Sequence, residues 1–242
     1  SVMDTAGNLA SCSTFVSVLD NGHFCSGGGI AHQIEGTIRL ESGAPVRNIP
    51  VSITGDGFFE ITATDTLGKY GFSDIPTNEN YVLVPENNSN WLNGVTTYDL
   101  VLISKHIVGT EPLTSPYKIL AADANHSGSV TTFDVVQLRK VILGILDSLP
   151  NNTSWRFVDS SFVFPDPQNP FGSPLPESIS YDPLTSDQFR QSFIGVKVGD
   201  VNGTTNPTMA RAPQDTLFLS FPEQIFEAGE SMVVPIQLEN WS

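Results

Sequence analysis

Alternating apolar and polar residues run through the first third of the chain and predict short β-strands. The alternation is clearest in residues 33–40, 51–54, 60–64, 70–72 and 81–85, with Gly- and Asp-containing turns between them. Short strands at this spacing are typical of a β-sandwich. We therefore expect residues 32–86 to form one.

A helical pattern follows and occurs twice. The sequence VTTYDLV at residues 95–101 returns as VTTFDVV at residues 130–136, a shift of 134 − 99 = 35 residues between the two Asp residues. Apolar residues at helical spacing continue after each copy and predict two amphipathic helices. Neither helix can bury its apolar face alone, so the two should pack together. The expected fold class is thus mainly β with a small α part.

The loop before the second copy carries the oxygen atoms of a calcium site. Asp123, Asn125 and Ser127 stand at alternate positions, Gly128 follows, and Asp134 occupies position 12. An EF-hand-type loop takes its oxygen ligands from positions 1, 3, 5, 7 and 12 and has Gly at position 6. The predicted Ca²⁺ ligands are Asp123, Asn125, Ser127, Ser129 and Asp134.

The first copy lacks such a loop, because the residues directly before its helix carry no carboxylate. Far downstream, the sequence GDVNG at residues 199–203 reads like the opening of a calcium loop without a helical pattern after it. Our hypothesis is a split site, in which Asp200 and Asn202 provide the front and Asn93 and Asp99 the back. The alternative is a simple Asn-Gly turn without a metal.

Paired loop-helix units with Asp at loop position 12 resemble dockerin repeats, which are calcium-binding modules that dock on cohesin domains. The resemblance covers roughly residues 87–204. It implies one or two Ca²⁺ ions and a cohesin-like partner domain in the same or another chain. Removal of the ions is expected to loosen the helix pair and to leave the sandwich folded. The exposed helix faces would form the docking surface, including Thr97, Lys105, Thr132, Arg139 and Lys140.

Three other segments have resemblances of their own. The motifs EGTI at residues 35–38 and TLGKYGF at residues 66–72 are similar to carboxypeptidase-regulatory and collagen-adhesin B-type modules, which implies an immunoglobulin-like or prealbumin-like sandwich acting as a spacer. Residues 1–31 resemble the last strands of a hyalin-repeat domain, and residues 205–242 the first strands of a cohesin-like domain. Together these resemblances imply a secreted or cell-surface multidomain bacterial protein.

Partial domains at both ends leave two interpretations open. The chain is either a fragment of a longer protein or a filament subunit whose neighbouring copies complete one another by strand addition. A third hypothesis is an accessory region of a polysaccharide-degrading enzyme. Aromatic and Pro residues in segment 151–198 are expected to wrap the helix pair and return Asp200 to the first loop, with polysaccharide stacking as the alternative role.

Composition narrows the possible partners. The formal net charge of −15, from 11 basic and 26 acidic residues, argues against nucleic acid, because phosphate binding needs clustered Lys and Arg. No stretch reaches the roughly 20 apolar residues of a membrane span. Cys12 and Cys25 are expected to form a local disulfide, the alternatives being other pairings or reduced thiols.

Catalytic patterns are weak in this sequence. The four His residues stand in unrelated contexts, and neither Gly-x-Ser-x-Gly nor His-Glu-x-x-His occurs. The Asp residues are better explained as calcium ligands than as paired glycosidase carboxylates. We therefore expect a non-catalytic protein.

Overall fold

The computed structural model describes residues 2–3, 9–10 and 31–207. The chain divides into two compact units, residues 1–30 and 31–242. In the first unit, β1 (Val2–Met3) pairs antiparallel with β2 (Leu9–Ala10). The predicted disulfide of Cys12 and Cys25 and the cohesin-like segment after residue 207 lie outside the described residues.

Two four-stranded sheets form the β part of the second unit. In spatial order, the first contains β6 (Lys69–Pro76), β3 (Ala31–Arg39), β10 (Phe193–Lys197) and β8 (Trp155–Asp159). The second contains β5 (Phe58–Ala63), β4 (Pro50–Gly55), β7 (Tyr81–Pro85) and β9 (Ile179–Tyr181). Neighbouring strands are antiparallel except β3 and β10, which run parallel.

A single apolar core lies between these sheets. The alternating pattern of β3 places Ile34 and Ile38 inward, where both are fully buried. Burying one such side chain contributes roughly 1.5–3 kcal/mol relative to leaving it in water. Both sheets supply the other core residues, which include Val51, Ile53, Phe72, Leu83, Trp155, Phe157 and Phe193.

The sandwich uses more of the chain than the expected residues 32–86. β8, β9 and β10 follow the helices in sequence, and they complete both sheets. β10 pairs with β3 and β9 with β7, whose backbone groups on those edges would otherwise lack partners, and β8 pairs with β10. The segment expected to wrap the helices packs Phe162, Phe164 and Phe171 against the helical core and also supplies three strands, so that the helical region is inserted into the sandwich.

The α part consists of α1 (Thr97–Ile107), α2 (Pro116–Ala122) and α3 (Thr132–Ile142). Thr96 and Thr131 cap α1 and α3, and in each helix the Asp three residues later completes a capping box. These two helices were predicted, whereas the short α2 was missed. Its signal was Ser115 as N-cap followed by Pro at the first helical position.

α1 and α3 pack around a second apolar core. Its buried members include Leu100, Ile103, Leu120, Leu138, Val141, Val158, Val196, Val198 and Val201. Several of these come from β8, β10 and the residues after β10, so the two strands carry side chains into both cores. A mainly β fold with a small α part is confirmed. None of the helices in residues 31–207 is long and apolar enough to cross a bilayer.

Candidate metal centre

The loop before α3 surrounds two buried carboxylates. Asp123 and Asp134 are both 0% exposed. Asp123 accepts hydrogen bonds from the backbone N–H groups of Ser127 and Gly128, both at 2.8 Å. Across the loop, the N–H of Asn125 donates to Asp134 Oδ1 at 3.1 Å. These bonds fold the loop so that its first and last carboxylates face its interior.

The other predicted ligands of this loop, Asn125, Ser127 and Ser129, lie next to one another. The Ser127 N–H donates to Asn125 Oδ1 at 3.1 Å, and Ser127 Oγ donates to the Ser129 carbonyl at 3.3 Å. Oxygen atoms from positions 3, 5 and 7 therefore lie beside the position 1 carboxylate. Side-chain oxygens together with a position 7 carbonyl are the ligands that Ca²⁺ takes from such a loop.

The downstream Asp200 has the same surroundings. Its Oδ1 accepts from the N–H of Thr204 at 3.1 Å, and its Oδ2 accepts from the N–H of Thr205 at 2.7 Å. The N–H of Asn202 donates to Asp99 Oδ1 at 3.2 Å. Segment 151–198 thus returns Asp200 and Asn202 to the start of α1, as the split-site hypothesis requires.

The two halves of this second loop meet between Thr205 and Gly94. Thr204 Oγ1 donates to the Gly94 carbonyl at 3.1 Å. In the contiguous loop the equivalent bond joins Ser127 Oγ to the carbonyl of Ser129 at 3.3 Å. Thr204 therefore corresponds to position 5, and Gly94 to position 7.

Residues 200–205, followed by residues 94–99, reproduce the twelve positions of residues 123–134. In both loops, the position 1 carboxylate accepts from the N–H groups of positions 5 and 6, and the N–H of position 3 donates to the Asp at position 12. The residue at position 4 has a positive φ in both. Position 6 differs, since Gly128 is replaced by Thr205.

The side chain of Asn93, a predicted ligand, is bonded to Asn206. Its Oδ1 accepts from the N–H of Asn206 at 3.0 Å, and its Nδ2 donates to the Asn206 carbonyl at 3.0 Å. The Asn93 amide therefore holds the two chain segments together just behind the loop. The carbonyl oxygen of Gly94 takes position 7 instead.

Both loops bury negative charge. Asp99 is 0% exposed and Asp200 is 7% exposed. Burial raises the pKa of Asp200 above its usual value, and the nearby Asp99 adds to the rise while backbone N–H groups oppose it. A cation between the carboxylates would remove this cost.

Among the described residues, no three His, Cys, Asp or Glu side chains gather into a metal-binding group. Each loop offers two carboxylates, and its other oxygen atoms belong to amides, hydroxyls and carbonyls. Such all-oxygen sets suit Ca²⁺ and not the nitrogen- and sulfur-preferring Zn²⁺.

Lys197 carries a buried amine beside the split loop, and it was not among the residues predicted from the sequence. Its Nζ donates to the carbonyls of Trp91 at 2.9 Å and Val198 at 3.2 Å. Burial lowers the pKa of Lys197 to about 7, although the Asp200 and Asp99 carboxylates act in the opposite direction. A single Lys at the end of an otherwise apolar strand was the available signal.

The predicted docking residues are only partly brought together. Thr97, Lys105 and Arg139 line a groove of about 580 Å³ between α1 and α3. Thr132 is exposed and Lys140 is half-buried, and neither lines this groove. The groove floor is mostly apolar, formed by residues such as Leu100, Val101, Val108, Ile142 and Leu143.

No protein-family model matches this chain, and comparisons with curated proteins and with solved structures find no match either.

Proposed function

We propose that the helical region holds two Ca²⁺ ions in a dockerin-like module, one in the contiguous loop and one in the split loop. The observation that supports this most strongly is the agreement of the two loops, position by position. A simple Asn-Gly turn gives no reason for Asp200 to adopt the hydrogen bonds of Asp123. Calcium gives one, because it requires the same ligand positions in both loops.

Each proposed ion has a structural task. Asp99 and Asp134 use Oδ2 for the capping boxes of α1 and α3 and present Oδ1 to the loop. An ion in each loop would therefore fix the start of a helix and relieve the repulsion between its buried carboxylates. Metal binding and packing of the helix pair are coupled in this proposal.

The helix surface is proposed to dock on a cohesin-like domain in the same or another chain. Tyr98 and Val101 on α1 are 57% and 47% exposed, and their equivalents Phe133 and Val136 on α3 are 51% and 44% exposed. The same shift of 35 residues relates both pairs. Large apolar side chains exposed at equivalent places on two helices favour a protein-binding surface.

The sandwich would support this surface as a non-catalytic spacer, as immunoglobulin-like or prealbumin-like modules do. This role requires no catalytic group, and we propose a non-catalytic protein. A secreted or cell-surface location fits the proposal, since extracellular modules use sites of this kind at roughly 10⁻⁴–10⁻³ M dissociation constants.

Calorimetric titration of the chelator-treated protein with CaCl₂ tests the proposal. We expect two bound ions, with one lost in Asp123→Asn and the other lost in Asp200→Asn. Asp56→Asn, at an exposed turn of the sandwich, is the matched control and should retain both. Absence of binding rejects the calcium sites, and an unchanged stoichiometry in Asp200→Asn rejects the split loop alone.

A further inference from the structure

A broad cleft lies apart from the helix groove. Its volume is about 960 Å³, and its wall comes from the start of β4, the loop after β7, the loop after α3 and β8. This volume is at the upper end of the range of small-molecule sites, about 300–1,000 Å³. The site is therefore large enough for an extended ligand.

Unused hydrogen-bonding side chains face this cleft. The side chains of Asn48, Asn90, Asn151 and His126 line it; all four residues are exposed to solvent, and their side chains make no hydrogen bond within the described residues. Each amide offers two donors and an acceptor. Several unpaired amides around one cleft suit a ligand that both donates and accepts.

The backbone at the cleft is unusual as well. Six non-Gly residues in the described part have positive φ, and three of them line this cleft: Asn48 at 54°, Asn90 at 54° and His126 at 56°. Residues in sparsely populated backbone regions cluster at ligand sites, where the surrounding fold holds them in place. The left-handed conformation sets the direction in which these three side chains leave the backbone.

Charged groups in the wall balance one another. Two Arg and two Glu residues line it, Arg47, Arg156, Glu86 and Glu177, although the whole chain has a net charge of −15. Arg156 and Glu177 form a two-bond ion pair at 2.8 and 3.1 Å. Arg47 Nε and Arg156 Nη1 are buried without a partner in the described part and need an acceptor. A locally neutral wall favours an uncharged ligand.

We propose that this cleft binds a short neutral oligosaccharide. Sugar hydroxyls donate and accept hydrogen bonds and so complement the unpaired amides. Half-buried Trp91 lines the same wall, with Lys197 Nζ 5.9 Å from the centre of its ring, and an indole ring can pack against the C–H face of a sugar. Strand addition by a peptide fits less well, because the Trp155 N–H at the start of β8 is already bonded to the Asn87 carbonyl.

The cleft is physically connected to the contiguous metal loop. His126 occupies position 4 of that loop, and Asn152 Nδ2 donates to the carbonyls of Asp123 at 2.9 Å and Ala124 at 3.2 Å. Any effect of calcium on the affinity for sugar would therefore be matched by an equal effect of sugar on the affinity for calcium. This linkage rests on the proposed function, whereas sugar binding itself does not.

The protein is first screened on an array of neutral tetrasaccharides that includes cellotetraose, maltotetraose and chitotetraose. Each sugar that binds is then titrated into the protein in excess CaCl₂. We expect at least one to bind, and Asn90→Gly to weaken it by about three- to tenfold, the effect of one or two hydrogen bonds. Glycine keeps the left-handed backbone and removes only the amide. Asn78→Gly, at 62° and outside the cleft, is the matched control and should bind as the unaltered protein does.

Two results would overturn the proposal: no neutral oligosaccharide binds, or binding is unaffected by both Asn90→Gly and Asn48→Gly. The calcium stoichiometry of the same samples keeps the two proposals separate. Two bound ions without sugar binding reject the cleft alone, and sugar binding without bound ions rejects the metal sites alone.

Discussion

The backbone of Gly94 lies directly against that of Thr205, so that a Cβ on Gly94 would come within 2.5 Å of the Thr205 nitrogen and α-carbon. This is the junction at which the split loop closes. A contact so close permits only glycine at residue 94. A single methyl group added there would push the two halves of the loop apart.

Gly94→Ala should therefore abolish calcium binding at the split loop. The matched control is Gly203→Ala in the same loop, since the two glycines have similar φ values, 77° and 75°, and a Cβ at Gly203 meets nothing within 4 Å. Both variants bear the left-handed cost of about 1–2 kcal/mol, but only the first separates the chain segments. Calorimetry should count one ion for Gly94→Ala and two for Gly203→Ala. Equal counts would contradict the assignment of the junction.

Chelation should destabilise the two cores together. β10 places Phe193 in the sandwich core and Val196 in the helical core, so loosening of the helices reaches the sandwich through one strand. This prediction differs from the expectation drawn from the sequence, in which the sandwich stays folded. Thermal unfolding followed by far- and near-ultraviolet circular dichroism with CaCl₂ and with EGTA should show one transition that moves to lower temperature. Two separate transitions in EGTA would show that the cores are independent.

Lys197 should make the stability of the metal-free protein rise with pH. Its pKa is about 7 in the folded protein against 10.5 ordinarily, so between these values the unfolded chain binds more protons than the folded one. The free energy of unfolding in urea should thus increase from pH 7 to pH 10. Lys197→Met should remove most of that increase, whereas Lys69→Met, at an exposed site, should retain it. A flat profile in the unaltered protein would contradict the burial of a neutral amine.

The two faces of α3 should differ sharply in their tolerance of truncation. Leu138 is 2% exposed in the helical core, and Val136 is 44% exposed. Leu138→Ala should lower the free energy of unfolding by about 2–5 kcal/mol through the cavity it leaves. Val136→Ala should change it by less than about 0.5 kcal/mol, as is usual for surface substitutions. Urea titration of both variants provides the comparison.

Charge on the exposed helix faces should weaken docking without unfolding the protein. Because Val101 and Val136 are equivalent, Val101→Asp with Val136→Asp is expected to reduce binding to a panel of recombinant cohesin domains by at least tenfold, with the melting temperature nearly unchanged. Thr66→Asp, at an exposed turn of the sandwich, is the control. Absence of binding to every cohesin domain by the unaltered protein would reject this partner class.

The contiguous loop was predictable because its twelve positions follow one another, and each residue type has one place in the pattern. The split loop could be inferred only through the repeat. Asp99 matches Asp134 but has no loop with a position 1 carboxylate directly before its helix, and Asp200 is the downstream residue that could supply one. The hypothesis assigned the back of this site to Asn93, whose amide bonds to Asn206 in the structure, because a backbone carbonyl such as that of Gly94 leaves no mark in a sequence.

The extent of the sandwich was not predictable from local pattern. In the sequence, the helices separate β8 and β10 from β3. Which strands pair depends on packing between distant residues, and alternation within one strand does not predict it. Lys197 illustrates the same limit. Its strand is apolar on both faces because it lies between two cores, and only the folded chain shows that its amine bonds to the Trp91 carbonyl.

The clamp between Asn93 and Asn206 stands where the chain leaves the split loop. Tension on the chain beyond residue 207 would first pull on Asp200, Asn202 and the clamp, in the direction that unzips them from α1. An ion bound by both segments would resist this separation. The calcium concentration would then set the force at which this junction opens.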